Sequence, residues 1–149
     1  MQTWDLHATR VLEIGCGLAL ASLVIHRRLG DVTASDIHPL TEAFLHDNLQ
    51  RNGLPPMKYR AGDWLHRGDA PGTFDLIIGS DVLYERNHPA QLAGFVAHHA
   101  AERAVVVIID PDRGNRPAFS RLLDADGFSL TETRICGAGY RGRILKYRR

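Results

Sequence analysis

Two patterns of apolar residues alternate along this chain. Short apolar runs predict strands, and stretches in which apolar residues recur every three or four positions predict helices. The predicted strands cover 11–14, 32–36, 57–61, 74–79, 104–110, 128–136 and 141–147. The predicted helices cover 18–29, 39–52, a stretch around Leu92 and Phe95, and 117–125. This alternation predicts a mostly parallel sheet with right-handed crossovers, and the two final strands predict an antiparallel edge.

The predicted fold is α/β. It is a Rossmann-like, doubly wound, mostly parallel seven-strand sheet with an antiparallel C-terminal edge strand and helices on both faces. The near-continuous apolar runs 74–79 and 104–110 are typical of strands covered on both faces. In the first helix, we expect one buried face formed by Leu18, Ala21, Ser22, Ile25 and Leu29. Residues 68–72 contain Gly, Asp and Pro and are predicted to form a surface loop.

A glycine loop follows the first predicted strand. Gly15 and Gly17 permit positive φ angles and close approach of a ligand to the backbone, and the next helix presents unpaired N–H groups. The pattern predicts a ligand with an anionic end. A dinucleotide loop has a third glycine where this chain has Leu20, and Glu13 would repel a pyrophosphate. Glu13 suits the ammonium of a methionine moiety instead, which favours S-adenosylmethionine (SAM) over NAD.

Asp36 ends the second predicted strand and supplies a second sign of a nucleotide cofactor. It lies 21 residues after Gly15, about where a parallel βαβ unit places the carboxylate that binds ribose hydroxyls. The alternative for Gly15 and Gly17 alone is an ordinary tight turn between a strand and a helix. Glu13 and Asp36 together weigh against that alternative.

Length and charge narrow the class of protein. The 149 residues fit a single domain, 1–149, and the net charge of +1 recruits neither nucleic acid nor an anionic membrane. No long apolar run or signal pattern occurs, so we expect a cytoplasmic protein. Two unclustered cysteines and scattered histidines predict no metal site. The basic C-terminus, 141–149, is predicted to be a solvated edge strand, and the oligomeric state is left open.

Residues 11–128 resemble the class I, seven-strand SAM-dependent methyltransferases. The loop Glu13 to Gly17 is similar to the cofactor loop of that class at large, and the run Ser80 to Tyr84 resembles the narrower Asp-x-x-Tyr signature of the protein lysine methyltransferase group. The pair Asp63 and Trp64 falls where that group has similar residues. The run Asp110 to Gly114 also resembles a stretch in the branch that methylates the electron transfer flavoprotein β-subunit.

The resemblance implies a cofactor site and a methyl acceptor. The acceptor is expected to be a protein lysine or a small amine. Asp81 is expected to hydrogen-bond the amine, and Tyr84 to bound the path of the methyl group. The alternatives are a helix cap or turn carboxylate for Asp81 and plain packing for Tyr84 and for Trp64. The cofactor residues are expected to be Glu13 with Gly15, Cys16 and Gly17 at the methionine end, Asp36 at the ribose, Asp63 and Trp64 at the adenine, and Ser80 near the sulfonium.

The N-terminus departs from this family. Its members have tens of residues before the first strand, including part of the lid over the substrate, whereas ten residues precede Val11. The lid region is therefore expected to be short or missing, through truncation, a misassigned start, or supply of the lid by a partner. A small-molecule or other N-methyltransferase, a SAM-binding domain without catalysis, and a NAD-binding module remain as alternatives.

Overall fold

The computed structural model describes residues 5–65, 72–137 and 139–149. It contains the predicted alternation of strands and helices. The predicted surface loop at 68–72 lies outside the described residues except for Gly72. The elements are β1 (Arg10–Ile14), α1 (Leu20–Arg27), β2 (Asp31–Asp36), α2 (Thr41–Arg51), β3 (Lys58–Ala61), β4 (Phe74–Ser80), α3 (His88–His99), β5 (Ala100–Asp110), α4 (Arg116–Ala125), β6 (Ser129–Gly137) and β7 (Tyr140–Arg148).

The strands form one sheet in the order β3-β2-β1-β4-β5-β7-β6, which confirms the predicted fold. The pairs among β1 to β5 are parallel. The last strand, β7, runs antiparallel between β5 and β6. The prediction that the basic segment 141–149 forms an edge strand is therefore wrong, because the final hairpin places β6 at the edge and β7 against β5. The chain leaves β1 in one direction towards β2 and later enters β4 on the other side of β1. Such a switch point opens a crevice at the carboxyl ends of the strands.

The two faces of the sheet are covered differently. On one face, α3 and α4 pack on β1, β4, β5 and β7 in the largest apolar cluster, which includes Leu12, Ile77, Val106 and Phe119. On the other face, α1 and α2 pack on side chains of β1, β2 and β3. A cavity of about 320 Å³ remains over β4, β5 and β7 on that face. Within the described residues, no helix is both long and apolar enough to cross a membrane.

Coverage agrees with the apolar pattern in β4 and differs in β5. Leu76, Ile77 and Ile78 are all buried, so β4 is covered on both faces as predicted. In β5, Val106 and Ile108 are buried, whereas Val107 on the opposite face is half-buried. The prediction of two fully covered faces is therefore wrong for β5, because Val107 and Ile109 line the cavity and are only half-buried.

The predicted apolar face of the first helix is wrong at both ends. Leu18 and Leu29 are 56% and 92% exposed, respectively. The helix is shorter than predicted, because Ala19 before it and Leu29 after it both have positive φ angles, 57° and 61°. Leu18 and Leu29 therefore lie outside the helical repeat. Within α1, Ser22 and Ile25 are buried as expected.

Candidate active site

A cleft of about 280 Å³ lies at the carboxyl ends of the strands. Its position follows from the sheet order, since the loops after β1, β2, β3 and β4 meet at the switch point. It brings together residues that are far apart in the sequence. Those predicted residues that line it are Gly15, Asp36, Asp63, Trp64, Ser80, Asp81 and Tyr84.

The glycine loop has the backbone conformation that its sequence predicts. Gly15 and Gly17 have φ angles of 57° and 52°, which side-chain-bearing residues rarely adopt. A Cβ added at Gly15 would lie 2.9 Å from Val82 Cγ1, so this glycine also permits close packing of the loop after β4. A Cβ at Gly17 would meet no protein atom within 4 Å. Gly17 therefore borders open space beside its backbone.

Asp36 ties the end of β2 to the glycine loop. Its Oδ2 accepts a hydrogen bond of 2.9 Å from the Gly17 N–H, and its Oδ1 accepts one of 2.8 Å from the His38 N–H. Each carboxylate oxygen has a further lone pair, so Asp36 can hold the loop and still accept from a ligand hydroxyl. The predicted role at the ribose stays a prediction, and the geometry adds a role in shaping the loop.

Glu13 lies away from the cleft. Its side chain is buried and lines the 320 Å³ cavity on the α1 face. Oε2 accepts a 2.8 Å hydrogen bond from the Ser22 N–H in the first turn of α1. Burial raises the pKa of the Glu13 carboxyl. The carboxylate thus anchors the helix that follows the loop, and its predicted contact with the methionine ammonium stays a prediction.

Cys16 is a packing residue of the loop. Its side chain is buried, and its N–H donates to the Ser35 carbonyl at 3.0 Å. Burial raises the pKa of the Cys16 thiol to about 12. The thiol is therefore protonated at neutral pH, so it is not a nucleophile.

Asp63 and Trp64 follow β3 at the side of the cleft. Asp63 Oδ1 accepts a 2.9 Å hydrogen bond from the Leu65 N–H, which fixes the turn. Trp64 is half-buried, packs against the core under α3, and also lines the cleft. The two interpretations of Trp64, core packing and ligand contact, are therefore compatible. The predicted contacts of both residues with adenine stay predictions.

The run after β4 presents the residues predicted for the methyl acceptor. Ser80 is exposed and lines both the cleft and the 320 Å³ cavity. Asp81 has a φ of 55°, and its N–H donates to the Ile109 carbonyl at 2.8 Å. Asp81 caps no helix, because α3 begins at His88. A positive φ is uncommon in a residue with a side chain, although aspartate adopts it more readily than most.

Tyr84 lies at the mouth of the cleft and contacts a histidine. Its side chain is 56% exposed, and its ring meets the His88 ring edge to face at 4.5 Å. His88 is buried, places Nδ1 2.9 Å from the Val82 carbonyl, and also contacts Trp64 edge to face at 5.2 Å. Sequence reasoning grouped His88 with the scattered histidines, and no local spacing distinguishes it from them.

Arg113 is the second residue that sequence reasoning did not select. Its Nε and Nη2 donate to Asp81 Oδ1 and Oδ2 at 2.6 and 2.9 Å. Its N–H donates to Asp110 Oδ1 at 2.7 Å. The available signal was its position just after β5, on the ligand side of the sheet. Its pairing with Asp81 could not be predicted from the sequence, because it depends on β4 and β5 being neighbours in the sheet.

The hydrogen-bond acceptors and the aromatic ring around the cleft fit SAM. Two carboxylates, Asp36 and Asp63, can accept from ribose hydroxyls and an adenine amine, and the indole of Trp64 offers an apolar face. The open space beside the Gly17 backbone leaves room for a ligand at the loop. Among the described residues, no group of three His, Cys, Asp or Glu side chains is arranged to hold a metal ion.

Known proteins resemble this chain in sequence. The family model described as a methyltransferase domain matches residues 11–101. EEF1A lysine methyltransferase 3 of Mus musculus is 27% identical over 82% of this chain and 55% of its own length. Protein N-lysine methyltransferase METTL21A of Danio rerio is 30% identical over 70% of this chain and 50% of its own. The chain thus spans about half the length of these curated relatives.

The fold agrees with the sequence match. The crystal structure of magnesium protoporphyrin IX methyltransferase from Synechocystis PCC 6803 with bound SAM superposes with a TM-score of 0.78. That match covers 97% of this chain and 74% of the other at 22% identity. The sheet order, the glycine loop and the matched family model agree with one another. The chain belongs to the methyltransferase domain family and has the SAM-binding fold of the class I SAM-dependent methyltransferases.

Proposed function

We propose that this chain carries the catalytic domain of a protein lysine methyltransferase, which transfers a methyl group from SAM to a lysine ε-amine. The observation that carries this proposal is the placement of Asp81 and Tyr84 together at the open mouth of the cleft. Their side chains are 47% and 56% exposed, so a protein side chain can reach them. The names of the two curated relatives, both lysine methyltransferases, support the same acceptor.

Residues of the cleft divide into those that hold the cofactor and those that meet the acceptor. The Gly15 to Gly17 backbone, Asp36, Asp63, Trp64 and Ser80 would hold SAM, which supplies a methyl group activated by the sulfonium. Asp81 accepts a hydrogen bond from the amine and directs its lone pair towards the methyl group. The ring of Tyr84 bounds the path and attracts a cation to its face. Orientation in a pocket that excludes water supplies most of the acceleration.

The acceptor must lose a proton before it can react. A free lysine has a pKa of about 10.4, so the neutral amine costs about 4–5 kcal/mol at pH 7. We assign proton removal to water and orientation to Asp81, because a carboxylate beside the amine also favours its ammonium form.

Tritium-labelled SAM tests the proposal. The purified chain is incubated with labelled SAM and a cell extract, and the labelled protein is hydrolysed and separated by amino-acid analysis. Label in ε-N-methyllysine is the expected result. Asp81→Asn is expected to reduce the rate at least a hundredfold while SAM affinity stays within threefold. Asp124→Asn, which changes an exposed aspartate on α4, is the matched control and should keep the wild-type rate.

Two results would contradict the proposal. Label that appears in small molecules, with none in methyllysine, would assign the chain to small-amine methylation. Full methyllysine formation by Asp81→Asn would remove Asp81 from the acceptor site.

A further inference from the structure

Asp81, the residue proposed to meet the amine, is bound by a guanidinium from another strand end. The two hydrogen bonds from Arg113, at 2.6 and 2.9 Å, form a fork on the two carboxylate oxygens. Such a fork uses one lone pair on each oxygen and leaves the others available. The Asp81 side chain is still 47% exposed, so a substrate amine can reach it with Arg113 in place.

The framework of the sheet holds both partners of this pair. The Asp81 N–H donates to the Ile109 carbonyl at 2.8 Å, and the Arg113 N–H donates to Asp110 Oδ1 at 2.7 Å. Asp110 is fully buried at the end of β5. The two backbones are thus fixed independently of the ion pair. Arg113 is therefore not needed to set the backbone conformation of Asp81, and its fork acts on the side-chain carboxylate and its charge.

Of the described residues that line the cleft, three are acidic, Asp36, Asp63 and Asp81, and none is a lysine or an arginine. In the described part of the chain, Arg113 is the basic side chain that contacts the Asp81 carboxylate. Without that contact, the acidic cleft would hold a lysine as its ammonium, the form that has no lone pair for attack. The charged and titratable neighbours are Glu85, Tyr84 and His88 after β4, Asp110, Arg113 and Arg116 after β5, and Asp36 and Asp63 across the cleft.

We propose that Arg113 acts through Asp81 to keep the acceptor amine neutral while Asp81 orients it. This inference rests on the proposed amine acceptor. The guanidinium offsets the charge of the carboxylate, so Asp81 can accept a hydrogen bond without favouring the ammonium. The acceptor ammonium first loses a proton to water. Its nitrogen then forms the N–C bond as the C–S bond breaks with its electron pair going to sulfur, and the product ammonium releases a proton to water.

Sinefungin tests this role without any acceptor. In this SAM analogue, an amine-bearing carbon replaces the sulfonium and its methyl group, so its amine lies where the acceptor and methyl group meet. Calorimetry measures the affinities of the chain for sinefungin and for S-adenosylhomocysteine. We use the first divided by the second, because the contacts that both ligands make cancel in this ratio. In the wild type, the ratio is expected to rise from pH 7 to pH 9, because the amine binds after losing its proton.

Substitutions of Arg113 and Asp81 should move this ratio in opposite directions. Arg113→Gln is expected to raise it about tenfold at pH 7 and to flatten its pH dependence, since one pKa unit corresponds to a factor of ten. Arg113→Lys keeps the charge and should retain the wild-type profile. Asp81→Asn should lower the ratio at pH 7. Arg10→Gln removes a forked Arg–Asp pair with Asp75 at the amino ends of β1 and β4, and it should leave the ratio unchanged.

Several outcomes would overturn the proposal. The first is an unchanged ratio in Arg113→Gln or in Asp81→Asn. The second is a change in the ratio in Arg10→Gln equal to that in Arg113→Gln. The third is loss of S-adenosylhomocysteine binding in Arg113→Gln, which would show that Arg113 maintains the fold. The proposed function is tested separately by methyllysine formation. If methyllysine forms but the affinity ratio does not change in Arg113→Gln, the role of Arg113 is refuted and the proposed function stands. If the ratio changes as expected but no methyllysine forms, the lysine acceptor is refuted and the role of Arg113 stands.

Discussion

At the scale of single residues, Gly17 and Gly53 form a matched pair. Both have positive φ angles, 52° and 62°, and a Cβ at either would meet no protein atom within 4 Å. Substitution by alanine should cost each about 1 kcal/mol of unfolding free energy, the strain of the left-handed conformation. Of these two glycines, only Gly17 lies in the cofactor loop. Gly17→Ala should therefore also weaken S-adenosylhomocysteine binding at least tenfold. Urea unfolding and calorimetry measure the two effects, and equal affinities in both variants would remove Gly17 from the site.

Cysteine reactivity provides a second prediction for individual residues. Burial raises the pKa of the Cys16 thiol to about 12, whereas Cys136 is exposed on β6. At pH 8, iodoacetamide should modify Cys136 in the folded chain and leave Cys16 unmodified, because the thiolate is the reactive form. Mass spectrometry of tryptic peptides should show both residues modified in urea. Rapid modification of Cys16 in the folded chain would contradict its buried placement.

Residue roles were predictable only where they depend on the local chain. The positive φ angles of Gly15 and Gly17 follow from glycine in a strand-to-helix loop. The contact of Asp81 with Arg113 joins residues 32 positions apart and requires β4 and β5 to be neighbours. Side chains alternate between the two faces of a strand, so Glu13 and Ile14 point to opposite faces of β1. The sequence does not show which helices or cavities cover each face, because that depends on the order of the strands.

At the scale of elements, Arg10 at the start of β1 joins Asp75 at the start of β4. Arg10 Nε lies 3.2 Å from Asp75 Oδ2, and the side chains are 50% and 33% exposed. The hydrogen bonds from Arg10 lower the pKa of Asp75. A lowered carboxyl pKa stabilises the fold above the unfolded value of about 3.9, and this stabilisation is lost as pH falls through the folded value.

Arg10→Gln should therefore reduce the unfolding free energy by less than about 1 kcal/mol at pH 7, because the pair is partly exposed. The difference from the wild type should shrink as pH falls below 4. Urea unfolding over this pH range measures it, with Arg51→Gln on the exposed end of α2 as the control. A difference that grows in acid would show that Asp75 is not the partner through which Arg10 acts.

Element type was predictable, and element ends were less so. The apolar spacing of residues 18–29 continues past the true ends of α1, because spacing alone does not reveal that Ala19 and Leu29 adopt positive φ angles. The apolar run at β5 predicted two covered faces, but one face is only partly covered. An apolar sequence shows that a strand can be buried and does not show which elements cover it.

At the scale of the whole molecule, the 320 Å³ cavity over β4, β5 and β7 is an apolar departure from an evenly covered sheet. Its walls include Leu76, Ile78, Val107, Ile109 and Ile144, and it borders the cleft at Ser80. Apolar surface of this kind binds apolar probes from water. We expect the folded chain to increase the fluorescence of anilinonaphthalene sulfonate, with saturable binding that urea abolishes.

A substitution inside the cavity separates this binding from binding to a partly unfolded chain. Val107→Asn places an amide on the cavity wall and should reduce the fluorescence severalfold. Thr131→Asn, on the exposed strand β6, is the control and should leave it unchanged. Both variants must keep wild-type affinity for S-adenosylhomocysteine, which shows that the fold and the cleft persist. If Val107→Asn fluoresced as strongly as the wild type, the probe would be binding elsewhere, and the cavity would be inaccessible in solution. If the fluorescence falls in Val107→Asn alone, the cavity beside the cleft is open to solvent.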